Sequence, residues 1–261
     1  MANESIQGKI AEELRGVDGV EIKATIPDRQ IEAALALYGL TAGDEDPRFI
    51  YFFDTPDLDL FEAGVIGRAR RVVGGDHDST IKFRPVKPET VPPLWSKLKG
   101  FKIEADASET QTAISASLTM KVEKGLIKRV AAGEVPFASL FNEEQLKFVL
   151  AMAQRQFDYA RVVPLGPVRA WKWKFTDPGL PWDLTVELWR RDDGERLLEA
   201  SIKVSVPQAA VAIAAFGAFL RDRGAQTDEC QQAKTRWALE YHAAKAANGV
   251  PAVPSQETAS S

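Results

Sequence analysis

The sequence predicts an α+β protein built on one long, largely antiparallel β-sheet with helices around it. Three observations carry this. Seven short stretches alternate apolar and polar residues with the two-residue period of a strand. Turn residues, rather than long helical crossovers, join most of them, which favours hairpin pairing. Segments with helical periodicity lie between and after them. A sheet of this many strands tends to curl, and closure into a barrel would gather one set of faces inside.

The elements follow in order. Residues 4–15 have the pattern of a short amphipathic helix. GVEIKATI (19–26) is the first strand, with Val20, Ile22 and Ala24 on one face and Glu21 and Lys23 on the other. Pro27-Asp28 opens a helix that Gly39 closes. After a loop, FIYFFDTP (49–56) is an aromatic strand that turns at Pro56-Asp57. LDLFEAGVIG includes a helical turn, and Gly67 leads into the strand RARRVV. GGDHDS reads as a hairpin turn, which would leave His77 exposed, and STIKFRPV is the returning strand. A Pro-rich connection, KPETVPPLWSKLKG, precedes the strand FKIEADAS.

Residues 110–136 carry a weaker pattern, with SASLTMKVEKG readable as a strand followed by a helix. SLFNEEQLKFVLAMAQ is a helix capped at Asn142, with acids in its first turn. VRAWKWKF, LTVELWR and RLLEASIKVS are three further strands, the last two joined through Asp192-Asp193-Gly194. Residues 207–222 and 227–246 are helices. No linker divides the chain, so 1–246 reads as a single domain and 247–261 as a polar, disordered tail.

Composition narrows the function classes. The chain has 261 residues, 45% of them apolar, enough for a sizeable core. A net charge of −4 argues against general nucleic-acid binding. The lone Cys230 allows neither an internal disulfide nor a cysteine metal site, and two histidines exclude a histidine-rich centre. Without a signal-peptide core or a run long enough to span a bilayer, the expectation is a cytoplasmic protein with no membrane partner.

The polar faces of the strands carry the functional signal. Lys23, Arg68, Arg70, Lys82, Arg84, Lys102, Lys172, Lys174 and Lys203 share them with Glu21, Glu104, Asp106, Glu187 and Glu199: nine cations to five carboxylates on a chain that is acidic overall. An open sheet with a solvated face is the plain alternative. Two features favour a lined interior: Arg and Lys dominate over Thr, Ser and Gln, and the acids cluster on particular strands. Many cations with a few carboxylates suit a polyphosphate. Arginine forks grip phosphate oxygens bidentately, lysines add point charge, and carboxylates hold a divalent ion that bridges the phosphates. Trp171 and Trp173 fall on the opposite, packing face; the glycines of GVIGRA are not followed by the Lys-Ser/Thr of a phosphate loop.

This order of strands resembles the CYTH superfamily, the triphosphate tunnel metalloenzymes. FFDTPDLDLFEAGVIGRARR (52–71) is the most specific match, followed by IKFRP and FKIEAD; the likeness covers roughly residues 18–204, and Lys234-Thr235-Arg236 resembles a basic site on the family's last helix. The resemblance implies an eight-stranded antiparallel barrel forming a tunnel, with Mg2+ or Mn2+ as cofactor and a triphosphate-containing small molecule as ligand. Homodimers occur among such proteins. The implied function is metal-dependent hydrolysis of an inorganic or organic triphosphate. The alternatives are a class IV adenylate cyclase or a non-catalytic polyphosphate- or nucleotide-binding module.

The resemblance assigns Glu21 and Lys23 to catalysis. Phosphate binding falls to Lys23, Arg68, Arg70, Lys82 and Arg84, and more weakly to Lys172, Lys174 and Lys203. Metal binding falls to Glu21 and Glu199, with Glu104, Asp106 or Glu187 in support. Two departures stand out. The family's E-x-E-x-K opening is here Gly19-Val20-Glu21-Ile22-Lys23, and its late E-x-E is Glu199-Ala200-Ser201. Both bear on catalysis more than on phosphate binding.

Overall fold

The computed structural model describes residues 12–43, 47–225 and 234–249. Most of the expected N-terminal helix, the start of the last helix with Cys230, and nearly all of the C-terminal tail lie outside these residues.

Nine strands close into a barrel. They are β1 (Gly19–Ile26), β2 (Arg48–Asp54), β3 (Val65–Val72), β4 (His77–Phe83), β5 (Phe101–Ala107), β6 (Thr112–Val122), β7 (Val163–Phe175), β8 (Leu184–Arg190) and β9 (Arg196–Val204). Round the barrel the order is β1-β5-β6-β4-β3-β2-β7-β8-β9, and β9 returns to β1. Only β1 with β5 is a parallel pair. The eight strands implied by the resemblance become nine because β6, the segment of weak pattern, is a full strand that joins β4 to β5. His77 opens β4 and is half-buried, so it lies beyond the turn rather than exposed within it.

The described residues also form six α-helices: α1 (Ile31–Leu37), α2 (Asp59–Glu62), α3 (Leu126–Ala131), α4 (Glu143–Met152), α5 (Ala209–Asp222) and α6 (Lys234–Ala247). No helix among these residues is long and apolar enough to cross a membrane.

Period-two alternation explains the layers. Val20, Ile22 and Ala24 of β1, with Ile202 and Val204 of β9, pack outward against Ile31 and Leu35 of α1 and Phe216, Phe219 and Leu220 of α5. On the other flank Phe49, Tyr51 and Phe53 of β2 and Ile81 and Phe83 of β4 pack against α3 and α4. The α4 helix is fixed by a capping box. Asn142 accepts from the Gln145 backbone at 2.9 Å, and the buried Gln145 amide donates to the Ser79 and Leu118 carbonyls, both at 3.1 Å.

A third cluster sits on the inner face. Ile50 and Phe52 of β2, Val168 and Ala170 of β7 and Trp189 of β8 pack against Trp237, Ala238, Leu239 and Ala243 of α6. Ile50 stands opposite Arg70 and Phe52 opposite Arg68 in the β2–β3 register, so these apolar side chains share the inward face with the arginines. Helix α6 therefore covers one wall of the barrel from inside. Aromatic side chains also reach the inner face, at Phe52 and Trp189, because both faces of β2 and the end of β8 are apolar.

The FFDTPDLDLFEAGVIG stretch positions the next strand. Buried Asp54 accepts from the backbone of Thr55 at 2.7 Å and of Leu60 and Phe61 at 2.9 Å, capping α2. Gly64 follows in the left-handed region, φ 76°, and a Cβ there would lie 2.7 Å from the Arg84 carbonyl oxygen. Glycine is needed at this close approach, which starts β3 beside the end of β4.

Candidate functional site

The inward faces enclose a cavity of about 900 Å³, lined among the described residues by eleven cationic and six acidic side chains. Glu21, Lys23, Arg68, Arg70, Lys82, Arg84, Glu104, Asp106, Lys172, Glu187, Glu199 and Lys203 all face it. Of the residues named from the sequence, only Lys174 is not part of this lining. It sits at the end of β7, exposed, 2.8 Å from Asp183. Its parity matches that of Lys172, but parity does not say where along a strand the tunnel ends.

The cations fall into two groups. Those on β1, β7, β9 and α6, with Arg70 and Arg84, are tied to carboxylates. Lys23 Nζ lies 3.2 Å from Glu21, 3.1 Å from Asp106 and 4.0 Å from Glu199. Lys234 of α6 bridges two strands, pairing with Glu187 and lying 2.7 Å from Glu199, with its ammonium 5.1 Å from the Trp189 ring centre. Glu187 also meets Lys172 at 3.1 Å. Lys203 reaches Glu104 at 3.3 Å, and Ser201 donates to Glu21 at 3.2 Å. Arg84 holds Asp106 at 2.7 Å, and Arg70 donates to Asp78 through both Nε, at 2.9 Å, and a terminal nitrogen, at 2.5 Å.

The second group is free of carboxylates. Among the described residues neither Arg68 nor Lys82 forms an ion pair. Arg68 donates to the Thr80 hydroxyl at 3.3 Å, and its buried Nε has no partner. Thr80 and Thr119 are hydrogen-bonded to each other at 2.9 Å, and Ser117 stands opposite Lys82 in the β4–β6 register. These short hydroxyl side chains leave space in front of the long cations.

The charge states follow from this pairing. Burial alone would raise the Glu187 carboxyl, but Lys234 and Lys172 hold it well below the usual range. Burial is likewise outweighed at Asp106, which Lys23, Lys82 and Arg84 keep low. At Lys23 the burial that would lower a lysine is overcome by Glu199, Asp106 and Glu21, and its pKa rises well above the ordinary value. Lys234 rises for the same reason, with Glu187 and Glu199 as partners. Lys82 goes the other way. Burial pushes it down to about 8, and Lys23, Arg68 and Arg84 add to that while Asp106 opposes it. Burial and Arg70 also lower Arg68.

Lys234 is the lining residue that strand reasoning did not supply. Its signal is the Lys234-Thr235-Arg236 triplet, likened from the sequence to a basic site on the last helix of the CYTH superfamily but not added to the ligand set. Arg48, Lys102 and Arg236 also line the cavity.

Two solved structures share this architecture. A Bacillus halodurans protein, assigned as a candidate adenylate cyclase, superposes with a TM-score of 0.57 at 10% identity, covering 85% of this chain and 97% of that one. A Hippeastrum protein, a candidate adenylyl cyclase reported with a dominant triphosphatase activity, superposes with a TM-score of 0.56 at 17% identity, covering 85% and 94%. The chain shares the closed-barrel fold of these two proteins. No family model matches it, and neither does the sequence of any curated protein.

The acids expected as donors to a divalent ion are spread over β1, β5, β8 and β9 of this barrel. No three Asp, Glu, His or Cys side chains among the described residues group closely enough to hold a metal. Glu21, Glu104, Asp106, Glu187 and Glu199 each already face an ammonium or guanidinium group. The acids implied as metal ligands do not, as arranged, fit a metal cage.

Proposed function

We propose that the tunnel binds a small molecule bearing a triphosphate or comparable polyphosphate chain. The observation that carries this reading is the pair Arg68 and Lys82: two charged groups deep in a barrel, facing open volume, with no carboxylate in direct ion-pair contact among the described residues. A buried cation without a counter-ion is costly, and a bound polyanion supplies one. Arg70 and Arg84, each held in place by an acid, border the same volume. Lys23, Lys172 and Lys203 form its far side.

A second reading is favoured by the Hippeastrum neighbour: Mg2+- or Mn2+-dependent hydrolysis of a triphosphate, with Glu21 and Lys23 at the reacting end. The Bacillus neighbour adds a cyclase variant of it. One assay separates these readings. Tripolyphosphate, ATP and thiamine triphosphate are each incubated with the protein and Mg2+ or Mn2+. Phosphate, pyrophosphate and cyclic AMP release are followed, and the melting temperature is recorded in parallel. Binding without turnover supports the first reading. Turnover abolished by chelator and by Glu21→Gln establishes the second. Neither turnover nor a thermal shift removes both.

A further inference from the structure

We propose that the tunnel takes its polyphosphate as the bare anion, with the ammonium groups of Lys23 and Lys234 standing where a divalent cation would otherwise sit. This deepens the binding reading above and rests on it. A hard divalent ion needs several oxygen ligands and a local excess of negative charge. Here Lys23 lies within 4.0 Å of Glu21, Asp106 and Glu199, three carboxylates around one nitrogen. Lys234 joins Glu187 to Glu199 across β8 and β9. Glu21, Asp106 and Glu187 are held low and both lysines are held high, so these charges persist at neutral pH. A metal would have to displace a buried ammonium from each carboxylate, inside a lining that already holds more cations than acids.

The strand positions that could tip this balance carry no charge. Residue 19 shares the inward parity of Glu21 and Lys23, and a Cβ there would meet nothing nearer than the Val204 carbonyl oxygen at 3.6 Å. A Cβ would be accommodated, yet the residue is glycine. Ser201, opposite Lys23 in the β1–β9 register, offers a hydroxyl that donates to Glu21. A serine donor neutralises part of the Glu21 acceptor capacity without adding charge. Gly19 and Ser201 thus leave the lysines as the cations of this wall.

Calorimetric titration of the full chain with tripolyphosphate, in EDTA and then in millimolar Mg2+, tests the proposal. Binding in EDTA at least as tight as in Mg2+ is expected, because free Mg2+ chelates tripolyphosphate and lowers the concentration of the bare anion. Binding that is tenfold or more weaker in EDTA would overturn metal independence and leave the binding reading standing. Absence of binding in both buffers would overturn both. A second measurement needs no phosphate: Mg2+ alone should leave the melting temperature of the natural chain unchanged. The double variant Gly19→Glu with Ser201→Glu, and separately Lys234→Met, should each gain a Mg2+-dependent upward shift. A shift in the natural chain, or no shift in either variant when both fold, counts against the proposal.

Discussion

The two walls of the tunnel use the same residue types to different ends. On the β1, β7 and β9 wall every lining lysine has a carboxylate. Lys23 meets Glu21, Asp106 and Glu199; Lys172 meets Glu187; Lys203 meets Glu104. On the β3 and β4 wall Arg68 and Lys82 have hydroxyl neighbours but no direct ion pair among the described residues, while Arg70 beside them pairs with Asp78. Paired charges cost little extra to keep and fix the barrel's interior. Unpaired ones cost stability and are retained where a ligand completes them. Arg68 and Lys82 are thus an under-compensated pair set in a lining whose neighbouring cations, Arg70 and Arg84 included, are neutralised.

The sharpest way to break that contrast is to remove Lys23. Its loss would leave three carboxylates crowded together inside the barrel. Lys23→Met is expected to cost about 3–5 kcal/mol in denaturant unfolding at pH 7, the usual penalty for stranding buried partners of a broken ion pair. The loss should shrink at low pH, where the stranded acids take up protons. Unchanged stability would show that the wall is wet enough to make the pairing irrelevant.

Lys82→Met probes the other wall, and the sign reverses. The folded pKa of Lys82, about 8, lies below its ordinary 10.5. Its charge therefore opposes folding below pH 8, and the opposition fades as pH rises from 8 through 10.5. Methionine should stabilise the fold at pH 7 by about 1–3 kcal/mol while weakening tripolyphosphate binding tenfold or more. In the natural chain, affinity should fall as pH rises through 8, and this fall should vanish in Lys82→Met. A variant that is both less stable and equally tight would overturn the assignment of Lys82 to the ligand.

The sequence showed this contrast only in part. Parity placed Glu21, Lys23, Arg68, Arg70, Lys82 and Arg84 on one face correctly, because each strand has a single polar face and the outward side chains must meet helices. The failures have a common cause. Where both faces are apolar, as in FIYFFD, alternation carries no sign, so the covering of the inner wall by α6 was invisible. Strand β6 was faint because its inward residues Ala113, Ser117 and Thr119 are small and uncharged, and that same smallness gives Lys82 its space. Lys234 lies on a helix that returns to strands 35 and 47 residues away, a contact no local pattern encodes. The neutralised wall was likewise unreadable: nine cations and five acids were counted, but which of them pair depends on register.

Register also grades the arginines. Arg70 is gripped by Asp78 through two hydrogen bonds, whereas Arg68 has the Thr80 hydroxyl alone. Arg68→Ala should therefore weaken tripolyphosphate binding by about 2–3 kcal/mol, and Arg70→Ala by about 1 kcal/mol, since Asp78 already spends part of the Arg70 donor capacity. Titration calorimetry on both variants checks the order, and the reverse order would show that the ligand pulls Arg70 from Asp78.

The smallest effect marks where the tunnel ends. Lys174 shares parity with Lys172 but lies one pleat further along β7, with its side chain 63% exposed and paired to Asp183, itself 49% exposed. Water screens such a pair, and its contribution is small. Lys174→Ala should change stability by less than about 0.5 kcal/mol and leave tripolyphosphate affinity unaltered. Lys172→Ala, one pleat inward and holding Glu187 at 3.1 Å, should lower stability measurably. If the two variants behave alike, the boundary drawn between tunnel and surface on β7 is in the wrong place, and the cationic wall extends past Asp183.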